Sequence, residues 1–231
     1  MNAAIGDWQR RDWSHATYYG AWPSLRRVLS HLVLSGAPDL TPLVPRVAAP
    51  AARQTYFTPD ALAALLDAPC PAWLRCLVLL CHDCGLRART ALNLRLSQYN
   101  AATGNISTRT KQGRGVSVPV SNRLARVLAI VPGDDAPIVA ALAGAPAVSY
   151  PAARRHFIAL CADAGLPHGY TLHDLRRTVA RELYQASGSL DQVQHLLGHM
   201  SARTTLGYLA SEVLSVDRDA LAAVTGEKVN A

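Results

Sequence analysis

The sequence predicts a mainly α fold with a small antiparallel β-sheet, an α+β arrangement. Apolar residues recur three and four positions apart over most of the chain, as they do along one face of a helix. Alternation with a period of two is confined to residues 105–120, which predicts a β-hairpin around a glycine-bearing turn. Because 50% of the 231 residues are hydrophobic and only 17% are charged, the chain can bury a sizeable core.

The first fifty residues contain one clear amphipathic segment, PSLRRVLSHLVLSG at 23–36, which ends at a glycine suited to a helix C-terminus. A proline-rich stretch follows at 41–58, too rich in proline for a helix and without the alternation of a strand. These features predict a helical segment at 1–50, a linker at 41–58 and a second domain at 55–231.

The second domain is predicted to begin with a helix. Thr58 can cap this helix, Pro59 suits its first position, and Leu62, Leu65 and Leu66 form its apolar stripe. Further helices are predicted on both sides of the hairpin, in the segments 72–96, 121–131 and 150–166.

Two capping boxes predict helix starts near the C-terminal end of this domain. Thr171 pairs with Asp174 in the first box, and Ser189 pairs with Gln192 in the second. Gly198 is suited to end the second of these helices. The apolar residues that should face the core from the first helix are Leu172, Leu175, Val179 and Leu183.

Polar residues that could take part in a chemical reaction lie on or beside these helices. His173 and Arg176 are three positions apart and are predicted to share a face other than the apolar one. His199 follows the glycine that ends the second helix, and Ser201 can cap a third helix that carries Tyr208. Amphipathic helices do not need these residues at these intervals, so we expect them to have a chemical role.

The charge balance favours a polyanionic partner. Lys and Arg number 23 against 16 Asp and Glu, which gives a net charge of +7 and a pI near 9.5. Nucleic acid is the leading candidate, although a basic protein without such a partner would have the same composition. The sequence has neither a membrane-length apolar run nor the apolar centre of a secretion signal. We therefore expect a cytoplasmic protein without a membrane partner.

The cysteines are odd in number and mostly have apolar neighbours, which predicts reduced thiols within a core. The CHDC motif at 81–84 has a spacing that occurs in zinc sites, but no second ligand pair follows and an apolar run continues through it. We therefore expect no metal site. The five cysteines are Cys70, Cys76, Cys81, Cys84 and Cys161.

Arginines, histidines, a lysine and a tyrosine together suit a phosphodiester substrate. The planar arginine fork matches two nonbridging oxygens and stays charged at any working pH. A tyrosine hydroxyl can attack phosphorus if a histidine accepts its proton. A lysine can protonate the departing sugar hydroxyl, and Lys111 lies beside the hairpin turn, where it could do so.

The motifs closely resemble those of the tyrosine recombinases, the phage-integrase class of site-specific DNA recombinases. The HxxR box of that family is matched by HDLR at 173–176, and its LGH box by LLGH at 196–199. Tyr208 follows nine residues after His199, at the family's nucleophile position. The resemblance implies the catalytic-domain fold of this family.

The resemblance extends to the two remaining catalytic positions and covers about residues 55–210. Arg87 in GLR matches the first catalytic arginine, and Lys111, eight residues before Pro119, matches the hairpin lysine. The segment at 1–50 is more weakly similar to part of the family's core-binding, SAM-like helical domain. The catalytic residues that the resemblance implies are Arg87, Lys111, His173, Arg176, His199 and Tyr208.

The resemblance implies a clamp around double-stranded DNA, cleavage of one strand at a time and a covalent 3′-phosphotyrosyl intermediate. It implies no cofactor, because a phosphodiester is exchanged for a phosphotyrosyl ester. It also implies a tetramer of protomers on paired sites, with accessory DNA-bending proteins possible, and a tail at 209–231 that docks on a neighbouring protomer. We expect further DNA contacts from Arg114, Arg177, Arg181 and Arg203.

The sequence departs from the family pattern in two respects. The family usually has an acidic residue three positions after its first arginine, and Thr90 stands there. The segment before the linker is about half the expected length. Three functions therefore remain open: a recombinase or integrase of a mobile element, a DNA-binding regulator derived from one, and a type IB topoisomerase-like enzyme.

Overall fold

The computed structural model describes residues 15–43, 48, 55–109, 113, 115–133, 135–199, 205–206 and 209. The chain divides into two compact units, Met1–Arg53 and Gln54–Ala231. The assignments of 1–50 to part of a core-binding domain, of 41–58 to a linker and of 55–231 to a catalytic domain stay predictions.

In the first unit, helix α1 spans His15–Leu34, and a 3-10 turn follows at Thr41–Leu43. The helix begins eight residues before Pro23, where the sequence pattern placed its start. A proline removes one helical hydrogen bond, but here the helix continues through it. The predicted start was therefore wrong, although the predicted helix exists.

The second unit is mostly helical and has one small sheet, which confirms the predicted fold class. Its three strands pair in the order β1-β2-β3, and all pairings are antiparallel. None of the helices in the described ranges is long and apolar enough to cross a membrane. The helices are α2 Pro59–Asp67, α3 Ala72–His82, α4 Ala88–Leu92, α5 Asn122–Leu128, α6 Ile138–Leu142, α7 Tyr150–Asp163, α8 Leu172–Ser187 and α9 Leu190–Leu197, and the strands are β1 Tyr99–Asn100, β2 Asn105–Arg109 and β3 Gly115–Pro119.

The predicted hairpin is present as strands β2 and β3. Ile106 pairs with Val118, and Arg109 pairs with Gly115 next to the turn. Ile106 and Val118 are buried, whereas Arg109 is exposed. The period-two alternation therefore gives one face to the core and the other to solvent.

Helix α3 lies at the centre of the core. It is buried on nearly all sides, as expected for a helix whose apolar residues are not confined to one stripe. Its neighbours include α5, α6 and α8. Burial raises the pKa of the Cys76 and Cys81 thiols to about 12, and all five cysteines are unpaired thiols, as predicted.

The helix starts follow the predicted caps. The Thr58 hydroxyl accepts a hydrogen bond from the Ala61 N–H at 3.2 Å, and the Ser189 hydroxyl accepts one from the Gln192 N–H at 3.3 Å. At the start of α8, Asp174 accepts hydrogen bonds from the Thr171 N–H at 2.8 Å and from its hydroxyl at 2.7 Å. The caps fix where α8 begins.

A tight turn after α3 leads into α4. Gly85 has a φ of +57°, and the Leu86 N–H reaches back to the Leu80 carbonyl at 3.1 Å. A Cβ at position 85 would lie 3.2 Å from Cγ of Leu196 on α9. Glycine therefore provides both the left-handed backbone and the space for α9.

Replacing Gly85 with alanine should destabilise the second unit. The left-handed backbone costs about 1–2 kcal/mol for any other residue, and the contact with Leu196 should add about 1 kcal/mol. Gly104→Ala is the matched control, because Gly104 has a φ of +64° with nothing within 4 Å of its added Cβ. Urea unfolding measures both losses, and an equal loss for the two variants would contradict the close packing.

Candidate functional site

Arg176 is buried at the meeting point of three elements. The residue is 2% exposed, and its Nη1 donates a hydrogen bond to the carbonyl of Gly85. Its Nη2 donates to the Leu197 carbonyl at 2.7 Å and lies 3.1 Å from Nε2 of His199. The guanidinium therefore joins α8 to the turn before α4 and to the end of α9.

The predicted shared face of His173 and Arg176 is wrong for the arginine. His173 is exposed in the first turn of α8, whereas Arg176 points into the protein. The Gly85 turn and the end of α9 present backbone carbonyls at this place, and these carbonyls accept hydrogen bonds from Nη1 and Nη2 of the arginine. The burial of Arg176 depends on contacts with residues far away in the sequence.

His199 lies directly after the end of α9, where Gly198 has a φ of +60°. Arginine can only donate, so the contact with Arg176 makes Nε2 of His199 the acceptor. Its Nδ1 then carries the proton and donates to Oγ1 of Thr205 at 3.1 Å. Burial, followed by the charges of Arg176 and Arg87, lowers the pKa of His199 to about 4. The imidazole is neutral at pH 7.

His173 is also neutral at pH 7, although more than a third of its surface is exposed. Partial burial lowers its pKa to about 4, and the charges of Arg177, Arg176 and Arg87 add to this lowering. The carboxylate of Asp174 opposes this effect in part. A neutral imidazole can accept a proton, so His173 can act as a base, whereas the acceptor nitrogen of His199 is already bound by Arg176.

Arg87 is exposed at the N-cap position of α4, directly after the Gly85 turn. It lines a small depression together with Thr90, Arg109 and Arg176. No carboxylate lines this depression in the part of the chain that the structure describes. The depression can therefore receive an anion.

A groove extends from this depression in both directions. One side is a cavity of about 900 Å³ between α4 and the hairpin, and the other is a cavity of about 360 Å³ beside α9. Gly115, Val116 and Ser117 of β3 line both cavities. The carboxylate of Asp191 also lines the cavity beside α9. Among the described residues, the basic side chains along the groove are Arg87, Arg89, Arg109, Arg176, His195 and His199.

Sequence reasoning missed three of the groove residues. Arg109 is exposed on β2, two residues before Lys111, so the strand alternation could have identified it. Arg89 lies two residues after Arg87, and its guanidinium is 5.7 Å from the ring centre of Tyr150. His195 reads as a helix-surface residue, and no sequence signal distinguished it.

The remaining predicted DNA contacts differ in their placement. Arg177 lies beside His173 and forms an ion pair of 3.4 Å with Asp174. Arg181 lines a separate cavity of about 490 Å³, where its guanidinium is 5.1 Å from the ring centre of Tyr56. The predicted site residues Lys111, Arg114, Arg203 and Tyr208 lie outside the described residues.

The structure thus brings together Arg87, Arg176 and His199. His173 lies near enough for the charges of both arginines to lower its pKa. Two fixed positive charges can bind the nonbridging oxygens of a phosphodiester and stabilise charge that develops on them. The neutral imidazole of His173 can take up a proton beside them. The arrangement suits phosphoryl transfer.

Replacing His199 with glutamine should flatten the pH dependence of stability. An unfolded histidine has a pKa of about 6.5, whereas His199 in the folded protein has a pKa of about 4. Between these values the unfolded chain binds more protons, so stability should fall as the pH falls through this window. The variant lacks this contribution, and urea unfolding between pH 7 and pH 4 should show a shallower slope.

His168→Gln is the control for the loss of a histidine elsewhere, because His168 is exposed and lies outside the groove. Equal slopes for the two variants would contradict a depressed pKa at His199.

The family model described as phage integrase matches residues 55–214 of the chain. A tyrosine recombinase XerC from Rhodospirillum centenum is 35% identical over 168 residues, which are 67% of this chain and 48% of that protein. A XerC from Methylobacterium sp. is 34% identical over 139 residues, covering 56% of this chain and 42% of that protein. The chain spans about half the length of these curated relatives.

Solved structures share the fold. A lambda integrase dimer bound to a COC′ core site superposes with a TM-score of 0.70 at 20% identity, covering 94% of this chain and 79% of that chain. A lambda integrase tetramer bound to a Holliday junction gives a TM-score of 0.66 at 21% identity, covering 88% and 61%. Because the family model matches more than half of the sequence, the chain belongs to the phage integrase family.

Proposed function

We propose that the chain is a site-specific DNA recombinase that cleaves and rejoins DNA strands through a 3′-phosphotyrosyl intermediate. The observation that supports this function best is the convergence of Arg87, Arg176 and His199 at the centre of a basic groove. Family membership and the motif positions of Lys111 and Tyr208 support the same chemistry.

In the proposed reaction, the Tyr208 oxygen attacks the phosphorus of one strand. A bond forms between this oxygen and phosphorus, and the bond from phosphorus to the 5′ oxygen breaks. Arg87 and Arg176 bind the nonbridging oxygens and stabilise their charge in the transition state. The neutral imidazole of His173 accepts the tyrosine proton, whereas His199 is held by Arg176 and Thr205.

Lys111 protonates the departing 5′ oxygen in this proposal. A sugar hydroxyl is a poor leaving group, so proton transfer lowers the barrier to strand cleavage. A 5′ hydroxyl that later attacks the phosphotyrosine reverses the step and rejoins a strand. One ester replaces another in each direction, so the proposed reaction uses no cofactor.

Double-stranded DNA is the proposed substrate, lying along the groove. Arg89 and Arg109 line the groove and can contact phosphates. We also propose phosphate contacts from Arg114, Arg177, Arg181 and Arg203. Arg177 is the best supported of these by its position beside His173.

We further propose that four protomers assemble on paired sites, with accessory DNA-bending proteins possible. The lambda integrase tetramer on a Holliday junction, which shares the fold, supports this assembly. The tail at 209–231 would join neighbouring protomers. Five unpaired cysteines fit a cytoplasmic site of action, and integration or excision of a mobile element is the proposed outcome.

A DNA-binding regulator that no longer cuts remains the second candidate. Thr90 favours it, because this residue lines the Arg87 depression at the position where the resemblance leads us to expect a carboxylate. A topoisomerase-like enzyme would relax plasmids without exchanging strands. The test of covalent chemistry below separates cutting from binding alone.

Tyr208→Phe should abolish covalent attachment to DNA while leaving DNA binding within about twofold of wild type. The substitution keeps the ring but removes the attacking oxygen. A nicked suicide substrate carrying the site, from which a short fragment diffuses away, traps the adduct, and a denaturing gel detects it. Tyr99→Phe is the control, because Tyr99 lies in β1 and packs on the core. Absence of an adduct with wild type on a verified site would favour the regulator.

Lys111→Ala should slow cleavage of an ordinary strand by about 10²–10⁴-fold, the range of general acid catalysis. A substrate with sulfur in place of the bridging 5′ oxygen should restore much of the rate, because a thiolate leaves without a proton. Single-turnover kinetics with both substrates measures the ratio. An equal defect on both would show that Lys111 does not act as the acid.

A further inference from the structure

A charged cluster lies at the end of α3, two residues before the Gly85 turn, with two buried members, His82 and Asp83, and two partly exposed ones, Arg123 and Glu182. The side chains of His82 and Asp83 are only 6% and 5% exposed. The Asp83 carboxylate lies 2.8 Å from Nδ1 of His82 and accepts a hydrogen bond from Nε of Arg123 at 2.8 Å. It also accepts hydrogen bonds from Nη2 of Arg123 and from the Ser121 hydroxyl. We call these residues, with Glu182, the His82 cluster.

The cluster reaches a third element through the other imidazole nitrogen. Nε2 of His82 lies 3.2 Å from Oε2 of Glu182 on α8. Burial acts to lower the pKa of His82, but Asp83 and Glu182 outweigh it, and the pKa is raised. The cluster therefore joins the end of α3 to α5 and α8.

The same short stretch holds the backbone that presents Arg87. Sγ of Cys84 lies 3.8 Å from the Pro119 carbonyl at the end of β3, and the Gly85 carbonyl accepts the hydrogen bond from Arg176. In the described part of the chain, no hydrogen bond or ion pair anchors the Arg87 guanidinium itself. The location of Arg87 is therefore set by the turn, and the cluster holds one end of the turn.

A purely stabilising role would not require charges at this place. A buried ion pair often contributes no more stability than apolar residues of the same volume, because its desolvation is costly. The rest of the core of this unit is built largely from apolar side chains. Directional hydrogen bonds to α5, together with the ion-pair contact to Glu182 on α8, instead fix the orientation of the chain that enters the turn.

We propose that His82 and Asp83 are positioning residues that hold the Arg87 turn against α8 and the end of the hairpin. This inference rests on the proposed function, since positioning matters only if Arg87 binds the reacting phosphate. Asp83 fixes the turn to α5, which directly follows β3, and His82 fixes it to α8, which carries His173 and Arg176. The cluster thus acts on the reaction through Arg87.

Asp83→Asn tests the proposal with little change of volume. We expect covalent adduct formation to slow by about 10- to 100-fold, the effect of a displacement of about 1 Å in a site, while DNA affinity stays within about twofold. Asp135→Asn is the matched control: Asp135 also accepts hydrogen bonds from an arginine and a serine, Arg95 and Ser97, but on the surface. That variant should react at the wild-type rate.

A second measurement does not depend on recombinase activity. Arg87 is one cause of the low pKa values of His173 and His199. If Asp83→Asn lets Arg87 move away, the pKa of His199 should rise and that of His173 should rise less, because Arg87 is the smallest of the charges that act on His173. NMR titration of the imidazole protons measures both pKa values in the folded protein. A general loss of stability would not move these values. Unchanged pKa values together with an unchanged cleavage rate would overturn the proposal.

Further variants keep the test decisive. His82→Asn retains a donor that can face Asp83, so it should cleave faster than His82→Leu, and equal rates would count against positioning. If Asp83→Asn does not fold, Arg123→Lys keeps the charge but loses the two-pronged contact, and the same two measurements apply. If wild-type protein forms no adduct, the proposed function fails, while the NMR titration still decides whether the cluster places Arg87.

Discussion

The buried guanidinium of Arg176 is the interaction on which the rest of the site depends. Its N–H groups are bound by two backbone carbonyls, one at the Gly85 turn and one at the end of α9, and by His199. A buried charge is costly unless its donors are satisfied, so these elements must approach one another for Arg176 to be tolerated. Folding of the second unit and assembly of the site are therefore the same event.

This constraint also sets the electrostatics of the groove. Burial, followed by nearby arginine charges that cannot titrate at working pH, lowers the pKa of both imidazoles and keeps them neutral. Arg176 is held by protein atoms, whereas Arg87 is exposed toward the depression. The two arginines thus differ in their support: backbone carbonyls fix Arg176, whereas Arg87 is exposed, and both line the depression.

Much of the site could be predicted from the sequence, because its motifs and helix caps are local signals. The HDLR and LLGH motifs correctly grouped Arg176 with His199, and the capping box with Asp174 located the start of α8. The burial of Arg176 could not be predicted, since its partner Gly85 lies 91 residues away. The same is true of the His82 cluster, whose CHDC motif suggested only a metal site or core thiols. Periodicity describes one element, and it contains no information about which carbonyl meets which side chain.

Two charged residues of α8, Arg176 and Glu182, contact the segment around the Gly85 turn. Arg176 donates a hydrogen bond to the Gly85 carbonyl, and Glu182 contacts His82, which precedes Gly85 in the sequence. A turn held only by Arg176 could still pivot about that contact, because a single anchor leaves rotation free. A second anchor, the contact between His82 and Glu182, restricts this rotation. The position of Arg87 therefore follows from two separate contacts with one helix, which is a stiffer support than the five-residue helix α4 could provide alone.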